Sequence, residues 1–219
     1  MRKTTLLLLL CSIFCASQAQ KISRIDFDEI KKSIDDNPGL YSQLQKRLIG
    51  CDSTLEENDF RILYYGQCYQ DGYMPYGGSD KMDDFKKAYE DGNFKKALPI
   101  GLGMIHKNPF DLKMVFKTMV CYYKLGDSLS LGKLRFRYSG LLETILHSGD
   151  GRTMNSAFVV MSVDDEYELM SSLQVELLEQ SLVDHCDRLK LKDNDLGLKE
   201  IFFDVTKPLA SLSDMFRSK

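Results

Sequence analysis

Histidine is scarce in this chain. His106, His147 and His185 are its three histidines, widely separated in sequence, so a zinc site would have to gather them from different elements. No metal ligand is assigned on that basis. The motifs that announce chemistry are missing as well: no H-E-x-x-H, no G-x-S-x-G, no Walker-type phosphate loop and no G-x-G-x-x-G. Sites built on those signatures are excluded, and neither a catalytic residue nor a cofactor is assigned. No basic run with interleaved aromatics occurs, and acids outnumber bases by 32 to 29. Such a surface repels phosphate backbones, which argues against nucleic acid as partner.

The apolar run from Leu6 to Ala16 is too short to cross roughly 30 Å of hydrocarbon at about 1.5 Å per residue. Arg2 and Lys3 precede it and Ser17-Gln18-Ala19 follows, the layout of a secretory signal cut between Ala19 and Gln20. Leu10 before Cys11 and Phe14 before Cys15 make both cysteines poor lipid acceptors. The mature chain is then Gln20–Lys219, enough for one good core or two modest ones, with no transmembrane segment. Losing Arg2 and Lys3, and no acid, leaves 27 bases against 32 acids, a net charge of −5. An exported location follows: periplasm, cell envelope or medium.

No C-x-x-C pair exists among Cys51, Cys68, Cys121 and Cys186. Four cysteines in an oxidising compartment allow three full pairings. Cys68 and Cys121 fall on apolar helix faces, however, where a lone thiol acts as a small hydrophobe, and mostly free thiols are expected.

What the chain does contain is a repeat. Tyr89-Glu90-Asp91-Gly92-Asn93 is echoed by Tyr123-Lys124-Leu125-Gly126-Asp127, with the glycines 34 residues apart. That is the period of the tetratricopeptide helix–turn–helix unit. Met82, Phe85, Ala88 and Tyr89 form the first stripe, and Phe94, Ala97, Leu98, Gly101, Leu102 and Ile105 the second. Leu112 to Tyr123 and Leu131 to Ile145 repeat the layout, and Pro109 sits where the repeat closes. Ala97 and Gly101 let neighbouring helices approach. Two units are fewer than the about three a free-standing solenoid needs, so the flanking segments must cap the stack.

Three helices are expected upstream. Capping boxes at Asp26/Glu29 and Ser53/Glu56 open the first and third, and Asn37-Pro38 opens the second. Asp71-Gly72 and Pro75 start a loop. Downstream, Ser148-Gly149-Asp150-Gly151 is a turn into a buried strand at Ala157–Met161. A helix over Asp164–Leu173 follows, its Asp164-Asp165-Glu166 read as a negative first turn favoured by the macrodipole. Ser181–Leu191 and Leu198–Val205 read as strands joined at Asp193-Asn194-Asp195, and Thr206–Phe216 as a closing helix. The expected class is α+β: a tetratricopeptide-like helical array, a small antiparallel sheet and a C-terminal helix. The expected division is 1–19 signal, 20–147 helical region and 148–219 small α+β region.

Asp184-His185-Cys186-Asp187 is the one Cys–His neighbour pair. On a strand, His185 and Cys186 face apart and cannot pair. Tyr64, Tyr65, Tyr69, Tyr73 and Tyr76 crowd a helix end and a glycine-bearing loop. Tyr64 shares the stripe of Phe60 and Leu63 and is assigned to the core. Tyr65 is expected to be exposed, and Tyr65, Tyr73 and Tyr76 are the candidate ligand-binding residues, since aromatics on such a loop offer stacking surfaces. The alternative is a loop pinned by its own rings.

Several blocks also resemble a known family. They are Leu63-Tyr64-Tyr65-Gly66 with Tyr76, Asn108-Pro109-Phe110-Asp111-Leu112, Ser148-Gly149-Asp150-Gly151, and Ala157-Phe158-Val159-Val160 with Asp165-Glu166-Tyr167. Gln180-Ser181-Leu182 and Phe202-Phe203-Asp204-Val205 with Met215-Phe216 complete the set. The chain is similar across nearly its whole mature length to domain of unknown function 4919, exported proteins of Gram-negative gut bacteria. The resemblance implies a tetratricopeptide-like part and export, and brings no activity. The leading reading is a non-enzymatic scaffold of the cell envelope that binds a protein, peptide or glycan. The alternative is a hydrolase using Asp150, Asp164, Asp165 and His147 at the helix–sheet junction. N-terminal sequencing of protein purified from its native envelope should begin at Gln20. An intact Met1, or a lipidated Cys11 or Cys15, overturns the signal assignment.

Overall fold

The computed structural model describes residues 25–76 and 79–217. The signal assignment, residues 1–19 with Cys11 and Cys15, lies outside the described residues. Helix α1 (Phe27–Asp35) opens as expected at Asp26, whose carboxylate accepts from the Glu29 N–H at 2.8 Å. Glu29 does not complete the box; it accepts instead from Arg61 at 3.2 Å. Helix α2 (Leu40–Ile49) starts later than Asn37-Pro38 suggested. The Asn37 amide closes α1 on the Ser33 carbonyl, and Gly39, in the left-handed region at φ 89°, becomes the N-cap. Helix α3 (Glu57–Gly66) carries a capping box displaced by three residues, Glu56 with Asp59 in place of Ser53 with Glu56. Asp52 explains the shift: it holds the Thr54 N–H and hydroxyl together with Arg47, a turn that delays the helix.

A 3-10 turn at Gln67–Tyr69 and a loop with Gly72 at φ 84° lead to the helical hairpins. These are α4 (Met82–Glu90) with α5 (Phe94–Lys107), and α6 (Leu112–Leu125) with α7 (Ser128–Leu146). Asn93, Asp111 and Asp127 cap α5, α6 and α7 by accepting from the N–H three residues on. The hairpins stack as one array with α5 against α6. Phe85, Ala97, Met114, Val115 and Cys121 fill the space between them. Gly101 permits this approach, since a Cβ there would lie 2.6 Å from the Thr118 hydroxyl.

The sheet has four strands among the described residues. These are β1 (Phe158–Val159), β2 (Leu177–Val183), β3 (Cys186–Leu191) and β4 (Glu200–Asp204), in the order β1-β4-β3-β2. Helix α8 (Val163–Ser172) lies between β1 and β2 in the chain, and α9 (Thr206–Arg217) closes it. The class is α+β, with two corrections. The sheet is mixed, because β1 runs parallel to β4. The β2–β3 hairpin also divides the segment expected as one strand over Ser181–Leu191. Asp184, at φ 59°, turns the chain with His185, so neither residue lies on a strand and the alternation argument for His185 and Cys186 does not apply. The expected turns at Gly151 (φ 66°) and around Asn194 are present.

One apolar cluster joins α1–α3 to α7, α8 and the sheet, with Leu48, Leu63, Leu141, Ile145, Leu169 and Phe203 inside it. The stack is thereby covered: α3 lies on α7 and α8 on α6. Cys51, Cys68, Cys121 and Cys186 are all free thiols.

Gly126 occupies the left-handed region at φ 78°, whereas the exposed Gly132 lies inside α7 with nothing near its would-be Cβ. Gly126→Val should lose about 1 kcal/mol or more in chemical denaturation, and Gly132→Ala should gain about 0.5–1 kcal/mol. Equal effects of the two substitutions would overturn this assignment.

Candidate functional site: a polar cleft beside the tyrosine-rich loop

The tyrosines are placed by their hydroxyls. Tyr64 is fully buried; its hydroxyl donates to Asp165 Oδ2 at 2.6 Å and accepts from the Met161 N–H at 3.1 Å. Tyr65, expected at the surface, is also fully buried, which corrects that reading. Its hydroxyl lies 3.2 Å from the Thr144 carbonyl and 3.3 Å from that of Val159, because α3 is packed on both sides. Tyr69 donates to the Phe27 carbonyl at 3.0 Å, and the Lys207 ammonium lies over both rings. Tyr73 is half-buried and donates to the Met161 carbonyl at 2.7 Å. Tyr76 remains 43 % exposed.

Between this loop, α2 and the α5–α6 corner lies a cleft of about 570 Å³. Tyr73 lines it; Tyr65 and Tyr76 do not. The polar lining is mostly carboxamides and carboxylates: Gln45 from α2, Gln67, Gln70, Asp71 and Asp80 from the loop, and Asn108 and Asp111 from the corner, with Ser79 and Lys107 beside them. Gln67 Nε2 is committed to the Tyr64 carbonyl at 2.7 Å, and Asn108 and Asp111 accept from backbone N–H groups of their own turn. The Gln45 and Gln70 side chains make no hydrogen bond to another described residue, and both residues line the cleft. Burial raises the Asp111 carboxyl above its ordinary range. Sequence reading had no signal for this cleft, since its amides come from three separate stretches.

The groups of the hydrolase reading are not brought to one place. His147 Nδ1 lies 3.0 Å from Glu57 Oε1, beside a separate cavity with Phe60 and Phe136. Asp150 accepts from the Arg152 N–H, and Asp164 pairs with Lys113 at 3.6 Å. Asp164 and Asp165 share a small recess with Asp111, away from His147. Among the described residues no three of His, Cys, Asp and Glu gather into a metal-holding group.

The first turn of α8 is the acidic one expected, but two of its carboxyls do not face solvent. Asp165 and Glu166 are buried, stacked one turn above Leu169 and Met170 on the face that packs inward. That i, i+4 relation was readable, but carboxylates are almost never buried unless paired. Burial lifts Asp165 to about 8 against the opposing effect of the Tyr64 hydrogen bond. Burial, then the neighbouring Asp187 carboxyl, lifts Glu166 to about 9. No N–H or O–H of the described residues reaches the Glu166 oxygens. What lies against them is Asp187, so a bond forms there only when Glu166 holds a proton to donate. Asp187 Oδ2 also accepts from Gln180 Nε2 at 2.9 Å, and Gln180 Oε1 from the Tyr167 hydroxyl at 2.7 Å. Tyr76 sits near this pair: partial burial, then the charges of Asp187 and Glu166, raise its pKa.

Helical hairpins closed at one side by a mixed sheet, with a tyrosine-pinned loop bordering a polar cleft, define the class as an α+β protein with a preformed pocket. The model of DUF4919, a domain of unknown function, matches residues 28–213, and the chain belongs to that family. No curated protein and no solved structure matches the chain.

The buried acids set the pH dependence of stability. Their folded pKa values, about 8 and 9, lie above the ordinary values of 3.8 and 4.5. The proton taken up on folding therefore contributes fully below about pH 4 and is lost as pH rises through 8 to 9. The melting temperature should fall between pH 5 and pH 9. Glu166→Gln, which can donate to Asp187 at any pH, should flatten the fall. A wild-type melting temperature that rises over this interval, or a Glu166→Gln variant with the wild-type slope, refutes the assignment.

Proposed function

We propose that this protein is a non-enzymatic binding protein of the cell envelope, exported by the segment ending at Ala19. Its cleft holds a glycan. We read the stacked hairpins as a tetratricopeptide-like array, whose role is to present that cleft, and Tyr73 as its aromatic contact. The observation that carries the reading is the lining. Carboxamides and carboxylates that offer paired donors and acceptors border an open cleft of about 570 Å³, and two of the amides are unspent among the described residues. Adjacent sugar hydroxyls are matched by such groups, and the ring of Tyr73 supplies an apolar face. A peptide segment, whose backbone amides have the same donors and acceptors, is the second ligand class this lining admits. Among the described residues no helix is long and apolar enough to cross a membrane.

The test is a glycan array, and in parallel an array of extended peptides, followed by calorimetry on the best ligand with Gln45→Ala and Gln70→Ala. Each loses one neutral hydrogen bond of roughly 0.5–1.5 kcal/mol, so affinity should fall about two- to tenfold per substitution. Selective peptide binding would replace the glycan by a peptide in the same cleft. Binding that both variants leave intact would remove the cleft from the function.

A further inference from the structure

A second cavity, of about 320 Å³, lies on another side of the array, where the end of α2 meets α5, α6 and α7. No carboxylate lines it, although the chain is acidic overall. Its charged lining is Lys133 and Arg137, one turn apart on α7, with His106 across from them on α5. Leu102, Ile105 and Leu134 supply an apolar wall.

Arg137 is the unusual member. It is 2 % exposed and forms no ion pair among the described residues. Nε and Nη2 donate to the Pro109 carbonyl at 3.2 and 2.5 Å, and Nη2 also to the Ile105 carbonyl at 3.0 Å. Those bonds clamp the end of α5, and they occupy one side of the guanidinium fork. Nη1 takes no part in them. Neutral carbonyls satisfy hydrogen bonds without cancelling a buried unit charge, which is costly to leave uncompensated. Burial accordingly pulls Arg137 down to about 10, against the opposite effect of Cys51 and Asp111. Cys51 lies against the guanidinium at the same cavity, half-buried and itself strained into the left-handed region at φ 52°. Its thiol is pushed up by burial, so it is a wall of the cavity and not an activated nucleophile.

We propose that this cavity binds a small organic carboxylate, its head between Arg137 and Lys133 and its hydrocarbon body against Leu102, Ile105 and Leu134. A guanidinium whose Nη1 side meets only the neutral Cys51 thiol, a nearby ammonium and no acid in the lining select a planar anion. The apolar wall selects a ring or short chain over an inorganic ion. The volume, at the lower end for small-molecule pockets of about 300–1,000 Å³, suits a single such molecule.

The experiment uses the full chain and two probes, phenylacetate and hexanoate, with phenylacetamide as the neutral isostere of the first. Binding is measured by calorimetry, and occupancy by the rate of iodoacetamide alkylation at Cys51, read by peptide mass spectrometry with Cys68 as internal control. One of the carboxylates should bind at millimolar concentration and slow alkylation of Cys51 severalfold, leaving Cys68 unchanged. Phenylacetamide should bind at least about tenfold more weakly than phenylacetate, the loss of one charge-assisted contact. Lys133 is exposed, so Lys133→Met should fold normally, weaken carboxylate binding about fivefold or more and leave the amide unaffected. Gln45→Ala in the other cleft should change nothing, which separates this site from the glycan reading. Absence of Cys51 protection by both carboxylates overturns the proposal. So does equal affinity for acid and amide, or full carboxylate binding by Lys133→Met.

Discussion

The hydrogen bond from Tyr64 to Asp165 joins the two halves of this molecule, and much else is placed by it. Tyr64 lies on α3 and Asp165 on the first turn of α8, 101 residues apart. The same hydroxyl holds the Met161 N–H at the end of the segment that carries β1. Burying a tyrosine hydroxyl and a carboxyl is unfavourable for each alone; an unmet buried polar group costs about 1–3 kcal/mol. Together, each removes the other's deficit. Tyr65, next in sequence, ties the same helix to α7 and β1. Adjacent residues on a helix differ by about 100° in direction, so both can be buried only if α3 is enclosed. It is enclosed, by α1, α2 and α7, which is why the first three helices share a core with the sheet.

From that enclosure the loop and the cleft follow. Tyr73 reaches the Met161 carbonyl, the group next to the N–H that Tyr64 holds, so the loop is fastened to the same short segment as α3. Tyr69 is fastened to α1. With those hydroxyls consumed, the loop offers amides and acids to the cleft more than phenol groups. The tyrosine crowding that marked this region in sequence is thus mostly a fastening device, and the polar lining of the cleft beside it comes largely from glutamine, asparagine and aspartate. The acids of α8 belong to the same economy of proton and hydrogen bond: Asp165 beneath Tyr64, Glu166 against Asp187. Their raised pKa values arise from burial required by the packing of α8, which is a structural reason sufficient without catalysis.

Much of the local structure was legible because local chemistry determines it. Asp26 and the Gly92 and Gly126 turns required no tertiary information: a cap accepts from a nearby N–H, and a left-handed turn favours glycine. Where a competing partner existed, the reading slipped. Asp52 captured Thr54 and moved the start of α3, and Asn37 closed one helix instead of opening the next. The sheet was less legible for a different reason. Alternation marks a strand but not its neighbour, so nothing in Ala157–Met161 announces a parallel pairing with β4. Asp184-His185 lacks the glycine that usually marks a two-residue hairpin turn, so β2 and β3 read as one strand. Tyr65 was misplaced because its burial depends on α7 and β1, both far away in sequence. The cleft left no trace, since polar residues collected by folding look like ordinary surface residues until they converge.

The α5–α6 corner borders both cavities. Lys107, Asn108, Pro109 and Phe110 border the polar cleft, while Ile105 and His106 border the cationic cavity. Arg137 bonds a carbonyl on each side, Ile105 and Pro109, so one guanidinium holds the wall between two cavities of opposite character. The last carbonyls of a helix lack partners within it. At the end of α5 a side chain from α7 supplies the partner. It also leaves a buried positive charge at a cavity mouth. The cationic site is therefore a by-product of how a short array ends α5, placed by the same contact that keeps the polar cleft's far wall in position.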